Sequence, residues 1–214
     1  MRIGALALQG DFREHLAVVA RLGHEAVEVR TPEDLGRVDA LLIPGGESTT
    51  IGRLATLYGL IDPLRERIGA GLPAFGTCAG AILLAAEAIG PDGSPSPQPL
   101  LCCMDTVVRR NAFGSQVDSF ETDLDVKGVD GGPMHAVFIR APWIESAGAG
   151  VEVLATVKPI DRDGAPLDAK VVVARQGHIL ASAFHPELAG DPRLHRLFLE
   201  IVQVSRGQPA PTGK

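Results

Sequence analysis

The stretch Gly71-Leu72-Pro73-Ala74-Phe75-Gly76-Thr77-Cys78-Ala79-Gly80 constrains this chain more than any other. An apolar run reaches Phe75, Gly76 to Gly80 turns sharply, and a helix-forming run from Ala81 to Ala88 follows. Strand, tight turn and helix put one cysteine at the bend. Glycines on both sides let the backbone take positive φ and let neighbouring segments come close. The pattern is that of a nucleophile elbow, with sulfur in place of the serine oxygen. The positive end of the helix dipole favours a thiolate at that position. Taken alone, a cysteine is more often a buried structural residue, because free Cys is among the most buried residue types. The rest of the chain decides between the two readings.

Upstream of the elbow the pattern alternates. Ile3 to Leu8 is a continuous apolar run, the kind buried on both faces of a parallel sheet. Gln9-Gly10-Asp11 is a turn with Asp11 as a candidate N-cap, and Phe12 to Leu22 has helical spacing ended by Gly23. A strand follows at Ala26 to Arg30, then a short helix opened by Thr31-Pro32. Val38 to Ile43 is a third strand, ending at Pro44-Gly45-Gly46. Glu47 to Tyr58 starts with a Ser/Thr-rich capping turn and becomes helical, and Asp62 to Gly69 is helical again. Such alternation predicts a doubly wound α/β fold, in which ligands sit beyond the carboxyl ends of the strands. Gln9-Gly10, Gly45-Gly46 and Cys78 all fall at such ends.

Gly90 to Pro99 breaks regular structure and reads as a loop. Beyond Leu100 helical runs are scarce. Thr106 to Val108, Ser119 to Leu124, Ala136 to Ile139, Val151 to Val157 and Lys170 to Ala174 are strand-like, so this half adds shorter, partly antiparallel strands. Ile179 to Phe184 is a last buried strand, and a helix from Arg193 to about Val204 is capped by Asp191-Pro192. Residues 1–206 read as one domain, and residues 207–214 as a polar tail.

Composition narrows the function classes. The 214 residues suffice for a sizeable core, and 45% hydrophobic with 21% charged content is ordinary for a globular chain. A net charge of -6 gives no reason to expect nucleic acid or an anionic membrane as partner. No apolar run is long enough to span a bilayer, and no signal segment is visible. Three cysteines, Cys78, Cys102 and Cys103, do not make a disulfide framework, and no Cys/His spacing suggests a metal. The adjacent pair Cys102-Cys103 reads as small core residues. A reducing cytosol fits best, with no cofactor or metal expected.

Phe184-His185-Pro186-Glu187 is the second informative stretch. Pro186 biases His185 toward extended backbone, where residues i and i+2 face the same way. Glu187 can then hold the His185 imidazole as a general base. Alone, a strand-end histidine is as readily a plain surface residue. With a cysteine elbow in the same chain it completes a Cys-His-Glu triad candidate. The third stretch is Pro44-Gly45-Gly46-Glu47-Ser48-Thr49, whose tandem glycines expose backbone N–H groups able to bind an oxyanion. An ordinary strand-to-helix turn fits it too. A phosphate loop does not, because no Lys-Ser/Thr pair follows.

Together these three stretches resemble the class I, or triad, glutamine amidotransferases. Leu8 to His15, Gly45 to Thr50, Arg110 to Phe120 and Phe138 to Pro142 resemble one family in particular, the glutaminase subunits of pyridoxal 5′-phosphate synthase. The resemblance runs from about Arg2 to Val204. It implies a flavodoxin-like three-layer fold, with a mostly parallel central sheet and additional antiparallel strands. It implies that Cys78 attacks the side-chain amide of L-glutamine, that His185 moves the protons and that Glu187 orients His185. N–H groups of Gly46 and Ala79 would form the oxyanion hole. Glutamine contacts would fall on Gly46, Glu47, Ser48, Arg110, Ile139 and Arg140. Strand alternation sends Arg109 and Arg110 to opposite faces, and the Arg-Asn-x-Phe-Gly match selects Arg110; a surface salt bridge is the other reading of either. The implied partner is a (β/α)8 synthase subunit, assembled as a dodecamer, that uses the ammonia. Its docking face would include Gln9 to His15. The loop from Pro91 to Pro99 and the Cys102-Cys103 pair have no counterpart in this resemblance. Three alternatives remain open at this point: another triad amidotransferase such as the histidine-pathway glutaminase, a γ-glutamyl hydrolase, and a catalytically silent glutamine-sensing subunit.

Overall fold

A computed structural model describes residues 1–113, 119–158 and 168–207. The motif residues Gly114 to Asp118 and the tail from Gln208 lie outside the described residues. The first half alternates as its sequence predicts: β1 (Arg2–Leu6), α1 (Phe12–Arg21), β2 (Glu25–Val29), α2 (Pro32–Leu35), β3 (Ala40–Ile43), α3 (Ser48–Leu57), α4 (Ile61–Gly69), β4 (Ala74–Thr77) and α5 (Ala79–Leu84). The second half is β5 (Ala85–Ile89), β6 (Met104–Arg109), β7 (Ser119–Leu124), β8 (Met134–Ile139), β9 (Trp143–Ala147), β10 (Glu152–Val157), β11 (Lys170–Gln176), β12 (Ile179–Ser182) and α6 (Arg193–Ser205).

One sheet carries the order β2-β1-β3-β4-β12-β11-β9-β6-β5, with β10 paired to β11 off this path. From β2 to β12 every pairing is parallel, while β11 and β9 pair antiparallel with their neighbours. β7 and β8 form a separate antiparallel hairpin. The inner parallel strands β3, β4 and β12 are buried at every residue because both faces are covered, whereas the edge strand β2 carries Glu25 and Glu28. In β3, Leu41 and Ile43 enter the core under α3, α4 and α5, whereas Ala40 and Leu42 enter the core under α1, α6 and the β7–β8 hairpin. Phe75, Phe184 and Phe198 are fully buried in the second core. Each such side chain contributes about 1.5–3 kcal/mol by leaving water.

Several local expectations are corrected. The run from Ala81 to Ala88 does not stay helical. α5 ends at Leu84, Ala85 turns extended at ψ 154°, and Ala85–Ile89 pairs with β6. Ala-rich sequence tolerates either state, and the free edge of β6 decides. Asp11 makes no capping hydrogen bond at α1. Glu47, rather than the Ser/Thr run, caps α3, accepting from the N–H groups of Thr49 and Thr50 at 3.1 and 2.6 Å. Cys102 is exposed at φ 53° and Cys103 is half-buried, so they are not core residues. Cys103 still packs against the edge of the first core, where the backbone N–H groups of Leu101 and Cys103 donate to Leu83 O and Leu84 O at the end of α5. β9 was not anticipated, because Trp143–Ala147 carries charge and lacks clean alternation.

Candidate active site

The central register brings the three informative stretches to one rim. Ile43 pairs with Gly76, and Thr77 pairs with Ser182. The chain therefore leaves β3, β4 and β12 side by side, carrying Gly45-Gly46, Cys78 and His185. Cys78 sits at φ 48°, ψ -103°, a strained conformation for a residue with a side chain. Gly80 lets the elbow close, since a Cβ there would stand 2.0 Å from the Ile43 carbonyl oxygen. Cys78 N donates to Ser182 O at 2.8 Å, which ties the elbow to β12. The first turn of α5 leaves the N–H groups beginning at Ala79 without intrahelical partners.

His185 is held from two sides. Its backbone N donates to Val137 O at 2.9 Å, anchoring it on β8. Its Nδ1 donates to Glu187 Oε1 at 2.8 Å, and Glu187 is itself buried. With Nδ1 committed, Nε2 is the nitrogen available to the Cys78 thiol. Burial opposes charge on the imidazole, but hydrogen bonds and charge from Cys78 and Glu187 outweigh it and push His185 up to about 10. Burial raises the Glu187 carboxyl, and its bond to His185 opposes that rise.

Cys78, His185 and Ala79 form the floor of a cavity of about 440 Å³. Gly46, Glu47, Ser48, Arg110, Ile139 and Arg140 line its sides. Glu187 alone of the sequence-predicted residues does not line it and reaches it through His185. A hollow of about 630 Å³ lies beside β7 and β10, and one of about 590 Å³ is lined by Cys102, Cys103 and His178, but there His178 Nε2 donates to Ile68 O at 2.8 Å and the two thiols face the carbonyls of Ala86 and Leu101. Arg110 donates to Glu47 Oε1 and to Ser96 Oγ, both at 3.0 Å. Arg109 instead pairs with Glu145 at 2.8 Å, away from the cavity. The loop from Gly90 to Pro99 belongs to this wall: Gln98 Oε1 accepts from Ser48 Oγ at 2.9 Å and Thr49 Oγ1 at 3.2 Å.

Sequence reasoning missed other neighbours. Asp11, freed from capping, brings a carboxylate oxygen within 3.4 Å of His185 Nδ1. Asp11, His185 and Glu187 are the only group among the described residues spaced to hold a metal ion. An ion there would replace the proton on Nδ1 and take His185 from Cys78. Asn111, Pro142 and Leu188 also line the cavity. Gln9 Oε1 accepts from Glu47 N at 2.8 Å and so clamps the glycine loop. His15 is 0% exposed, which removes it from the expected docking face.

A parallel sheet with a strained cysteine elbow, a His-Glu pair on the neighbouring strand and a third loop at the same rim define a class I glutamine amidotransferase fold. A solved glutamine amidotransferase structure is 54% identical, with a TM-score of 0.82 over 94% of this chain and 99% of that one. PurLQS from Thermotoga maritima, 14% identical, shares the fold at a TM-score of 0.62 over 92% of this chain and 96% of that one. The model of the SNO glutamine amidotransferase family matches residues 5–204, and the chain belongs to that family. The pyridoxal 5′-phosphate synthase subunit PdxT of Frankia alni is 59% identical over 204 residues, 95% of this chain and 96% of that protein. Among the described residues, no helix is long and apolar enough to cross a membrane.

Proposed function

We propose that this chain hydrolyses L-glutamine to L-glutamate and ammonia, and passes the ammonia to a pyridoxal 5′-phosphate synthase subunit in the cytosol. Family membership and the PdxT relatives support the activity. The observation that carries the chemistry is His185 placed between Cys78 and the buried Glu187 on the floor of a cavity rimmed by arginine. Cys78 Sγ attacks the side-chain amide carbon with its proton already resting on His185 Nε2, in keeping with an imidazole held protonated up to about 10. N–H groups of Gly46 and Ala79 stabilise the oxyanion. His185 then protonates the leaving ammonia, and a glutamyl thioester remains on Cys78. Water, deprotonated by His185, attacks the thioester, releases glutamate and restores the thiolate. Glu187 keeps the ring oriented and stabilises the imidazolium.

Arg110 uses one donor on Glu47 and one on Ser96, and its remaining N–H groups suit the α-carboxylate of glutamine. Glu47, Ser48, Ile139 and Arg140 complete the substrate contacts. The partner is a (β/α)8 subunit in a dodecameric core, docked at the exposed part of the Gln9 to Glu14 segment. Channelling suits ammonia, which water would protonate. The test is glutamate release from L-glutamine, with and without that synthase subunit. Strong stimulation is expected, and Cys78→Ala is expected to abolish turnover while glutamine still binds. Turnover surviving in Cys78→Ala would overturn the mechanism.

A further inference from the structure

Two buried histidines that this mechanism leaves unused stand behind Glu187. His15, on α1, and His195, on α6, are 0% and 1% exposed. His15 Nδ1 and His195 Nε2 are 2.9 Å apart. His15 Nε2 lies 3.0 Å from Thr77 Oγ1 and 3.4 Å from Glu187 Oε2. Glu187 Oε2 makes no hydrogen bond, so the 3.4 Å approach of His15 Nε2 is a charge contact, and the ring's own hydrogen bond is to Thr77; His195 Nδ1 likewise has no partner. The groups facing the pair are Thr77 and Phe75 from β4, His185 and Glu187 from the turn after β12, and the charge of Arg21 at the end of α1.

The ring protons can be assigned from these contacts. Burial, and after it neighbouring imidazole charge, holds His15 well below its ordinary value. Burial and Arg21 bring His195 to about 4. Both rings are therefore neutral at physiological pH, with one proton each. A bare lone pair on His15 Nε2 would face a carboxylate oxygen across a dry gap and repel it. An N–H there attracts it, so the proton sits on Nε2. His15 Nδ1 must then accept, which places the His195 proton on its Nε2. His195 Nδ1 is left as a bare acceptor, and it is the ring atom without a partner.

We infer that His15 is a positioning residue for glutamine hydrolysis, its Nε2–H held by Thr77 Oγ1 and turned toward the unpartnered Oε2 of Glu187 at 3.4 Å, and that His195 locks His15 in the tautomer able to do so. The inference rests on the reading of Cys78, His185 and Glu187 as the reacting triad. A desolvated carboxylate accepts weakly if it drifts toward the protonated form. A ring N–H facing Oε2 at 3.4 Å favours the ionised carboxylate and its present rotamer, so that Oε1 stays an aimed acceptor for His185 Nδ1–H. The line from Cys78 through His185, Glu187 and His15 to His195 thus crosses the core between β4 and α6.

The test compares His15→Met, which fills the space without a donor, with His15→Gln, whose amide N–H reaches toward the same oxygen. His195→Phe and His195→Gln form the second pair. Glutamine kcat and KM are measured in complex with the synthase subunit. Iodoacetamide labelling of Cys78 in the free chain is followed at the peptide level. His15→Met is expected to lower kcat and the labelling rate about tenfold, with KM unchanged and His15→Gln retaining most of both. His195→Phe is expected to lose about threefold, and His195→Gln less. Wild-type rates in folded His15→Met, or equal losses in His15→Gln and His15→Met, would overturn the inference. If His15→Met does not fold, the His195 pair decides by the same comparison. If the wild type turns over no glutamine but Cys78 labelling still depends on the His15 donor, the functional reading fails and the positioning role stands.

Discussion

Gly45 sets how closely His185 can approach the loop after β3. A Cβ at Gly45 would stand 2.3 Å from His185 Cε1 and 2.8 Å from Nδ1, so any larger residue displaces the ring. Gly45→Ala is expected to lower kcat about a hundredfold, the usual consequence of misplacing a catalytic group by about 1 Å, while the chain stays folded by circular dichroism. His195 sets a pH limit on stability. Its folded value of about 4 lies below the ordinary histidine value, so its contribution is complete above about pH 6.5 and is lost as pH falls through about 4. The loss is on the order of 3 kcal/mol. Urea midpoints at pH 7.5 and 4.5 should therefore differ, and His195→Phe should narrow the difference. The opposite sign holds for His185. Its value of about 10 means that stabilisation from its paired charge is complete below about pH 6.5 and fades as pH rises through about 10. The stretches carrying Cys78, His185 and Glu187, the proposed triad, were legible because a turn glycine and an i, i+2 spacing are local signals. Yet His185 to Leu188 closes a turn, with Leu188 N donating to His185 O at 3.2 Å, rather than the extended run that the spacing predicted. His15 and His195 were not, because a histidine on an apolar helix face reads as core until the fold brings two of them together.

At the scale of elements, the start of α3 has two jobs. The Glu47 carboxylate caps the helix and pairs with Arg110. Burial opposes its charge, but the Thr50 and Thr49 hydrogen bonds prevail and hold it down to about 2. Glu47→Ala is expected to cost about 1 kcal/mol as a lost cap and to lower Tm by about 2–4 °C, measured by calorimetry. The loop from Gly90 to Pro99 is tied to the same wall through Ser96 and Gln98. Removing the Ser96 hydroxyl loosens Arg110, so Ser96→Ala should raise KM for glutamine about fivefold with kcat unchanged. In the sequence this loop showed only Pro, Gly and Ser punctuation. Its link to the site comes from partners in β6 and α3, which no local pattern encodes. The same limit explains β5: an Ala-rich segment carries no period strong enough to declare itself a strand before its neighbour is known.

For the whole molecule, the alternating half from β1 to α5 was readable because buried parallel strands are continuous apolar runs and their helices have caps and terminal glycines. The second half was readable only as short strands, since antiparallel edges place charge and apolar residues less regularly. Exposed Arg13 stands on the proposed docking segment, its guanidinium 5.4 Å from the Phe12 ring. Arg13→Ala is expected to weaken stimulation by the synthase subunit severalfold, measured as glutamate release, with the basal rate and the urea midpoint unchanged. The sheet order has a further consequence. β12 is the last strand made among the described residues, yet it lies in the middle, between β4 and β11. During synthesis Cys78 therefore emerges onto an unfinished sheet, with no imidazole beside it and no strand to hold its elbow. The thiol gains its base only when the late strand slots into the gap, so a partly made chain cannot release ammonia before it has a folded surface to offer a partner.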